Sequence, residues 1–268
     1  MLADASNDRL QSALTTLRNE GYEPSGHILD ITASAEVEKF AKQVAEEGLL
    51  DVIVLTAGVS PISASTKKIF DINLVGTANV IDAFRPHVGQ GTSMICLASM
   101  AGHMAMDFLS PELQKHFALS PTTSLLTHQE VSESVAPGMA YGIAKAANIL
   151  RVQTAAKPYG ERGARINSIS PGIIYTVMGK AELEGATGHM IKAMVDASGL
   201  TRVGTADDVS KVVAFLAGSD SAYMTGSDIL VDGLSRANSL RYLANSSPGG
   251  QAAAAKWILP QLQAQAQK

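Results

Sequence analysis

Short apolar runs recur along the chain, separated by longer stretches in which apolar residues return every three or four positions. The runs predict strands at 27–29, 50–55, 93–97, 164–169 and 228–231, and the stretches between them predict helices at 7–19, 33–47, 68–84, 138–159 and 206–217. Residues 33–47 show the pattern, with Val37, Phe40, Val44 and Ala45 on one face and charges opposite. Alternation of this kind predicts one α/β domain over residues 1–234, a doubly wound parallel sheet with helices on both faces. Two segments break it. One is 103–137, rich in Ser, Thr and Leu; the other is a tail at 235–268 with Pro248-Gly249-Gly250, Trp257 and a proline, Pro260, that prevents a long unbroken helix.

Composition narrows the function classes. The chain has 268 residues, a net charge of −4 and no basic run, which argues against nucleic acid or an anionic membrane surface as partner. No apolar run reaches the ~18 residues of a membrane span, and the first residues turn polar too early for a signal peptide. The lone Cys96 cannot form an internal disulfide, which suits a reducing cytoplasm. The six histidines never fall at metal-ligand spacing, so no metal is expected.

The sharpest chemical signal is Tyr141 four residues before Lys145 on one helical face, with Ser99 upstream. Bringing a tyrosine from ~10 to about 7 takes about 4 kcal/mol. A cation about 4 Å away at an effective dielectric of about 20 supplies that much. The expectation is that Lys145 lowers the pKa of Tyr141 and makes it an acid/base near neutrality.

Around this pair the sequence resembles the short-chain dehydrogenases/reductases, from Met1 to about Leu234. The resemblance rests on Thr56-Ala57-Gly58 after a strand, Ile72-Asn73-Leu74-Val75-Gly76, and Ile95-Cys96-Leu97-Ala98-Ser99. Further along it rests on Asn167-Ser168-Ile169-Ser170-Pro171-Gly172 followed by Thr176, and on Thr225-Gly226 with Val231-Asp232-Gly233. Leu234 stands where the family has a second glycine. The resemblance implies a nicotinamide-dependent oxidoreductase acting on a small alcohol or ketone, commonly as a homo-oligomer. Ser99 is expected to donate to the carbonyl oxygen, Tyr141 to transfer the proton, and Asn73 to hold a water that links Lys145 to solvent. Asp4 resembles the acidic residue that binds the adenosine ribose diol, which favours NAD over NADP. Asp30 and Ile31 resemble an adenine-contacting pair. Ala57 and Gly58 let the backbone approach the cofactor, while Pro171, Gly172, Ile174 and Thr176 are expected to hold the carboxamide. Asp4 and Asp30 each have a plain alternative as helix or turn caps.

The family opens with a strand, a glycine-rich turn and a helix that receives the pyrophosphate. The chain has no such segment, and roughly 25–30 residues of the pattern are absent before Met1. A late start or a shortened piece is the favoured explanation, with a genuine short form as the other. Either leaves two strand edges open in mid-sheet, including that of residues 52–55. The 103–137 insertion resembles that of the bacterial 3α-hydroxysteroid dehydrogenase/carbonyl reductase type. It is expected near the substrate mouth, with Phe108, Leu109, Leu113, Phe117 and Leu119 covering an apolar substrate, and to obstruct or remodel the helix pair that the family uses to dimerise. Residues 181–200, carrying Met190, Met194 and Leu200, are expected to be a substrate loop.

Overall fold

The computed structural model of the chain describes residues 1–185 and 188–235; the tail at 236–268, including Trp257 and Pro260, lies outside the described residues. The elements are β1 (Leu2–Asp4), α1 (Asn7–Asn19), β2 (Gly26–Ile28), α2 (Ser34–Glu47) and β3 (Val52–Leu55), then α3 (Thr66–Ile69), a π-helical turn (Phe70–Gly76) and α4 (Thr77–Phe84). There follow β4 (Ser93–Leu97), α5 (Met100–Met106), α6 (Pro111–Leu119), α7 (Pro137–Gly160), β5 (Arg165–Pro171), α8 (Val177–Glu184), α9 (Gly188–Asp196), α10 (Ala206–Ala217) and β6 (Asp228–Val231). The fold is an α/β Rossmann-like single domain.

All strand pairs are parallel, but they form two sheets: β1 with β2, and β3-β4-β5-β6. Helices and a shared core join them. Leu29, Ile31, Val37 and Phe40 from the first half pack with Leu55, Val80, Phe84 and Met94 from the second. Asn79 on α4 donates to the Ile31 carbonyl at 2.9 Å. On β3, Val52 and Val54 are 42% and 41% exposed, apolar side chains on an edge strand that pairs only with β4.

Side chains of the larger sheet alternate between two faces, as period-two strands require. Ile95 and Ile169 meet Leu216 of α10 on one face. Met94, Cys96 and Ile166 meet Val80, Val152 and Tyr159 of α4 and α7 on the other. The Tyr159 hydroxyl, fully buried, donates to the Ile81 carbonyl at 2.8 Å, so the ring packs without leaving an unpaired polar group.

The insertion is a packed part of the domain, and two of the residues expected to cover a substrate, Leu113 and Phe117, face its core instead. Leu113 and Phe117 of α6 and Leu125 beyond it are buried against Ile69, Leu74, Ala140, Ala144 and Ala147. Leu119 is 66% exposed. The reason is α7: Arg151 donates to the Phe117 and Ser120 carbonyls at 3.3 and 3.0 Å and to Asp82 at 3.3 Å, tying α6 down onto its own scaffold. Residues 177–184 and 188–196, within and beside the expected loop, are helical, with Met194 buried and Leu200 exposed.

Helix α5 crosses α7 so closely that a Cβ at Gly102 would lie 2.7 Å from the backbone carbon of Lys145 and 2.8 Å from the Ala146 nitrogen. Both neighbours are backbone and cannot step aside. Gly102→Ala is therefore expected to cost about 1–3 kcal/mol, read as a lower urea midpoint with an unchanged m-value. An unchanged midpoint would show that α5 shifts freely.

Candidate active site

The close crossing sets the local geometry of three polar residues. Ser99 leaves β4 in an extended conformation and caps α5, its oxygen accepting from the Ala101 N–H at 3.2 Å. That bond uses the oxygen and leaves the hydroxyl proton available to donate. Tyr141 and Lys145 share one face of α7, with the lysine Nζ 5.7 Å from the tyrosine ring centroid. Lys145 is 5% exposed and donates to the Leu97 carbonyl at 2.7 Å. Gly58, after β3, comes within reach of both partners: a Cβ there would sit 3.7 Å from Lys145 Nζ and 3.2 Å from Asn73 Oδ1.

The electrostatics differ from the sequence expectation. Burial pushes the Tyr141 phenol up to about 12; a hydrogen bond with Ser99 pulls it down and the charge of Glu182 pushes it up further. Burial brings Lys145 down to about 8, with Cys96 opposing the change. Burial outweighs any lowering of Tyr141 by the Lys145 charge in this state. The lysine Nζ is turned toward Leu97, and desolvation weakens its hold on the charge.

Asn73 lies in the π-helical turn, and its amide both accepts from the Val59 N–H at 2.8 Å and donates to the Val59 carbonyl at 2.9 Å. Through these two bonds it fixes the loop that presents Gly58. Wide turns of this kind recur at functional positions.

The residues proposed for the cofactor spread along the C-terminal ends of the strands. Asp4 ends β1, and its carboxylate accepts from the Arg9 guanidinium at 2.8 Å and from the Ser6 N–H at 2.7 Å. Burial raises its pKa, but Arg9 and the Ser6 N–H outweigh this and lower it. Asp30 has the capping geometry, accepting from the Thr32 N–H at 2.9 Å, and Ile31 packs into the core against Gly76. Ala57 and Gly58 follow β3, and Pro171 ends β5. A Cβ at Gly172 would meet Asp232 at 2.7 Å, which explains the glycine by the close approach of the chain just past the paired ends of β5 and β6. Ile174 bridges to Gly204, and Thr176 caps α8, accepting from the Gly179 N–H at 3.1 Å.

Two features escaped sequence reasoning. Asp228 on β6 accepts from Ser168 at 2.5 Å and Ser170 at 3.0 Å, and lies 2.6 Å from His103 Nε2. It thereby connects the helix that starts at Ser99 to the strand that ends at Pro171. Glu182 on α8 accepts from Ser60 at 2.6 Å, 122 positions away, and no spacing rule links the two.

Comparison with known proteins places this geometry in a family. A short chain dehydrogenase model matches residues 1–111, and an Enoyl-(Acyl carrier protein) reductase model matches residues 113–233. The chain is 33% identical to a short-chain dehydrogenase/reductase, bsc3, of Alternaria brassicicola over 92% of this chain and 89% of that protein. A short-chain dehydrogenase/reductase of Mycobacterium ulcerans superposes with a TM-score of 0.68 at 25% identity, covering 88% of this chain and 80% of that one. A 3-alpha-hydroxysteroid dehydrogenase of Pseudomonas sp. B-0831, solved with NADH, superposes with a TM-score of 0.67 at 19% identity, covering 87% and 96%. The chain belongs to the short-chain dehydrogenase/reductase family, whose members are oxidoreductases that bind a nicotinamide cofactor and act on small molecules. Among the described residues no helix is long and apolar enough to cross a membrane, and no cluster of potential metal ligands forms.

The shifted pKa values predict how stability depends on pH. Folded Lys145 releases its proton near 8 instead of 10.5, so between those values the unfolded state binds more protons and stability rises with pH. Folded Cys96 keeps its proton to about 12 instead of 9.0, so above 9.0 stability falls with pH. A net rise of about 1 kcal/mol is therefore expected only between pH 8 and 9. Urea titrations should show it, and Lys145→Met should remove it. The same rise in the variant would assign it to another group.

Proposed function

We propose that the chain is an NAD-dependent oxidoreductase that interconverts a secondary alcohol and a ketone, with Tyr141 carrying the proton. The observation that supports this most is the phenol held beside Ser99 on a helix that also carries Lys145. The nicotinamide end of a dinucleotide suits Gly58, whose missing Cβ leaves backbone beside Lys145 and Asn73, and the Pro171–Thr176 segment. The Asp4 carboxylate suits the adenosine ribose diol and opposes the extra phosphate of NADP. When bound, the dinucleotide supplies the hydride for reduction or takes it for oxidation.

The chain's own groups do the rest. Ser99 donates to the substrate oxygen as negative charge develops there. Tyr141, kept protonated at neutral pH by burial, delivers its proton to that oxygen in reduction. Lys145 binds the ribose and Asn73 holds the Gly58 loop in place.

A hydroxysteroid or similarly bulky apolar alcohol is the proposed substrate class. Exposed Val177 and Met178 on α8, and Leu200 nearby in sequence, offer apolar surface for it. A 3-oxoacyl-carrier-protein reductase is the second reading; the family model over residues 113–233 shares with it an acyl-carrier-protein substrate, though it names enoyl reduction. The protein is proposed to act in the cytoplasm as a homo-oligomer, remodelled where α6 lies on α7.

Titration with NADH and NADPH, followed by transferred fluorescence, tests the cofactor reading. Tighter NADH binding is expected, and NADPH preference would overturn it; no binding by this chain or by an upstream-extended version would point to a catalytically silent relative, whereas binding by the extended version alone would show a shortened enzyme. Tyr141→Phe is expected to lower kcat by about 10²–10⁴-fold while NADH affinity stays within about twofold. Retained turnover would refute the role of Tyr141.

A further inference from the structure

Helix α8 is held against the loop after β3, and one polar residue on it has no place in the proton-transfer chemistry. Its start is set by Thr176, and its end is held against the loop after β3 at two points. The Ser60 hydroxyl donates to Glu182 Oε1 at 2.6 Å, and a Cβ at Gly185 would lie 3.2 Å from Ile62 Cδ1. Ser60 is 3% exposed, and its oxygen accepts from the Ile62 N–H at 3.3 Å, so its hydroxyl points at Glu182 from a fixed position. The same loop presents Gly58 to Lys145 and clasps Asn73 through Val59. Among the described residues, no hydrogen bond reaches the other carboxylate oxygen of Glu182.

We propose that Glu182 is a specificity residue that selects a ketone or alcohol bearing an ammonium group over its neutral isostere. The inference rests on the oxidoreductase reading and narrows its substrate class to a bulky carbon skeleton with a cationic nitrogen. The physical reason is charge balance. Reduction carries a hydride and a proton to the substrate, so the dinucleotide that gives the hydride gains a positive charge as Tyr141 becomes phenolate and the substrate ends neutral. A carboxylate nearby opposes the loss of the phenol proton, and its charge is already felt by the phenol. Lys145 offsets it weakly, because it is turned to Leu97 and burial has brought it down to about 8. A substrate cation set against Glu182 pairs with the carboxylate and relieves its effect on the phenol, whereas a neutral substrate leaves the carboxylate unpaired beside the phenol.

The test compares 1,1-dimethyl-4-oxopiperidinium with 4,4-dimethylcyclohexanone, which match in shape and differ by one permanent charge. Both are assayed for NADH-dependent turnover, and binding is measured by calorimetry, with the wild-type chain and Glu182→Gln. The amide keeps an oxygen for Ser60 and removes the charge. The wild type is expected to favour the cation at least tenfold in kcat/KM. The variant is expected to lose at least tenfold on the cation and to gain on the neutral ketone. A purely structural role would lower both together, and an unchanged cation-to-neutral ratio would also overturn the proposal. Glu182-dependent binding of the cation without turnover of either ketone would support the selectivity and sink the oxidoreductase reading. Turnover of both without discrimination would do the reverse, and neither binding nor turnover would count against both.

Discussion

The approach of α5 to α7, with glycine at the crossing, is the constraint on which the site depends. Gly102 sits over the backbone of Lys145, and Gly142 sits 3.2 Å, at its would-be Cβ, from the Ala101 carbonyl. Two reciprocal glycines let the helices touch backbone to backbone. Ser99 begins one helix while Tyr141 and Lys145 ride on the other, so their separation is set by that crossing rather than by flexible side chains. The insertion reinforces it from outside. Leu113, Phe117 and Leu125 fill the space beside Ala140, Ala144 and Ala147, and Arg151 fastens them there. A segment that read as a substrate cover instead braces the helix that carries the tyrosine.

Burial then sets the chemistry. The same packing that orders Tyr141 and Lys145 removes water from both, raising one and lowering the other. In this state the tyrosine is an acid, ready to protonate an oxygen that gains charge. Asp228, with Ser168, Ser170 and His103 around it, links the serine helix to the strand leading into Pro171. Glu182 on α8 is tied to the loop after β3 through Ser60. The site is thus a balance of few charges at low water content, and a small change in any of them shifts the others.

Much of the fold was legible in the sequence because period and composition carry it. The helices at 7–19 and 206–217 and the strands at 93–97 and 228–231 match their predicted bounds, since amphipathic faces and apolar runs bounded by turns are local signals. Ser99, Tyr141 and Lys145 were also legible, because their spacing accompanies several motifs. What was hidden depends on contacts between distant residues. The predicted helix at 68–84 contains a π-helical turn that no periodicity announces. Asn73 reaches Val59, Lys145 turns to Leu97, and Glu182 meets Ser60, each through tertiary geometry alone. The size of burial at Tyr141 and Lys145 was hidden for the same reason: spacing gives proximity, whereas packing decides how much water each group loses.

The most direct measurement follows deuterium from NADH labelled at C4, in separate 4R and 4S forms, into the alcohol formed from either test ketone. In the proposed site Tyr141 and Ser99 hold the substrate oxygen on one side, and the Pro171–Thr176 segment orients the carboxamide. One deuterium at the carbinol carbon is therefore expected from one of the two labels only. No label in the alcohol, or label from both forms, would contradict hydride transfer in a site built this way.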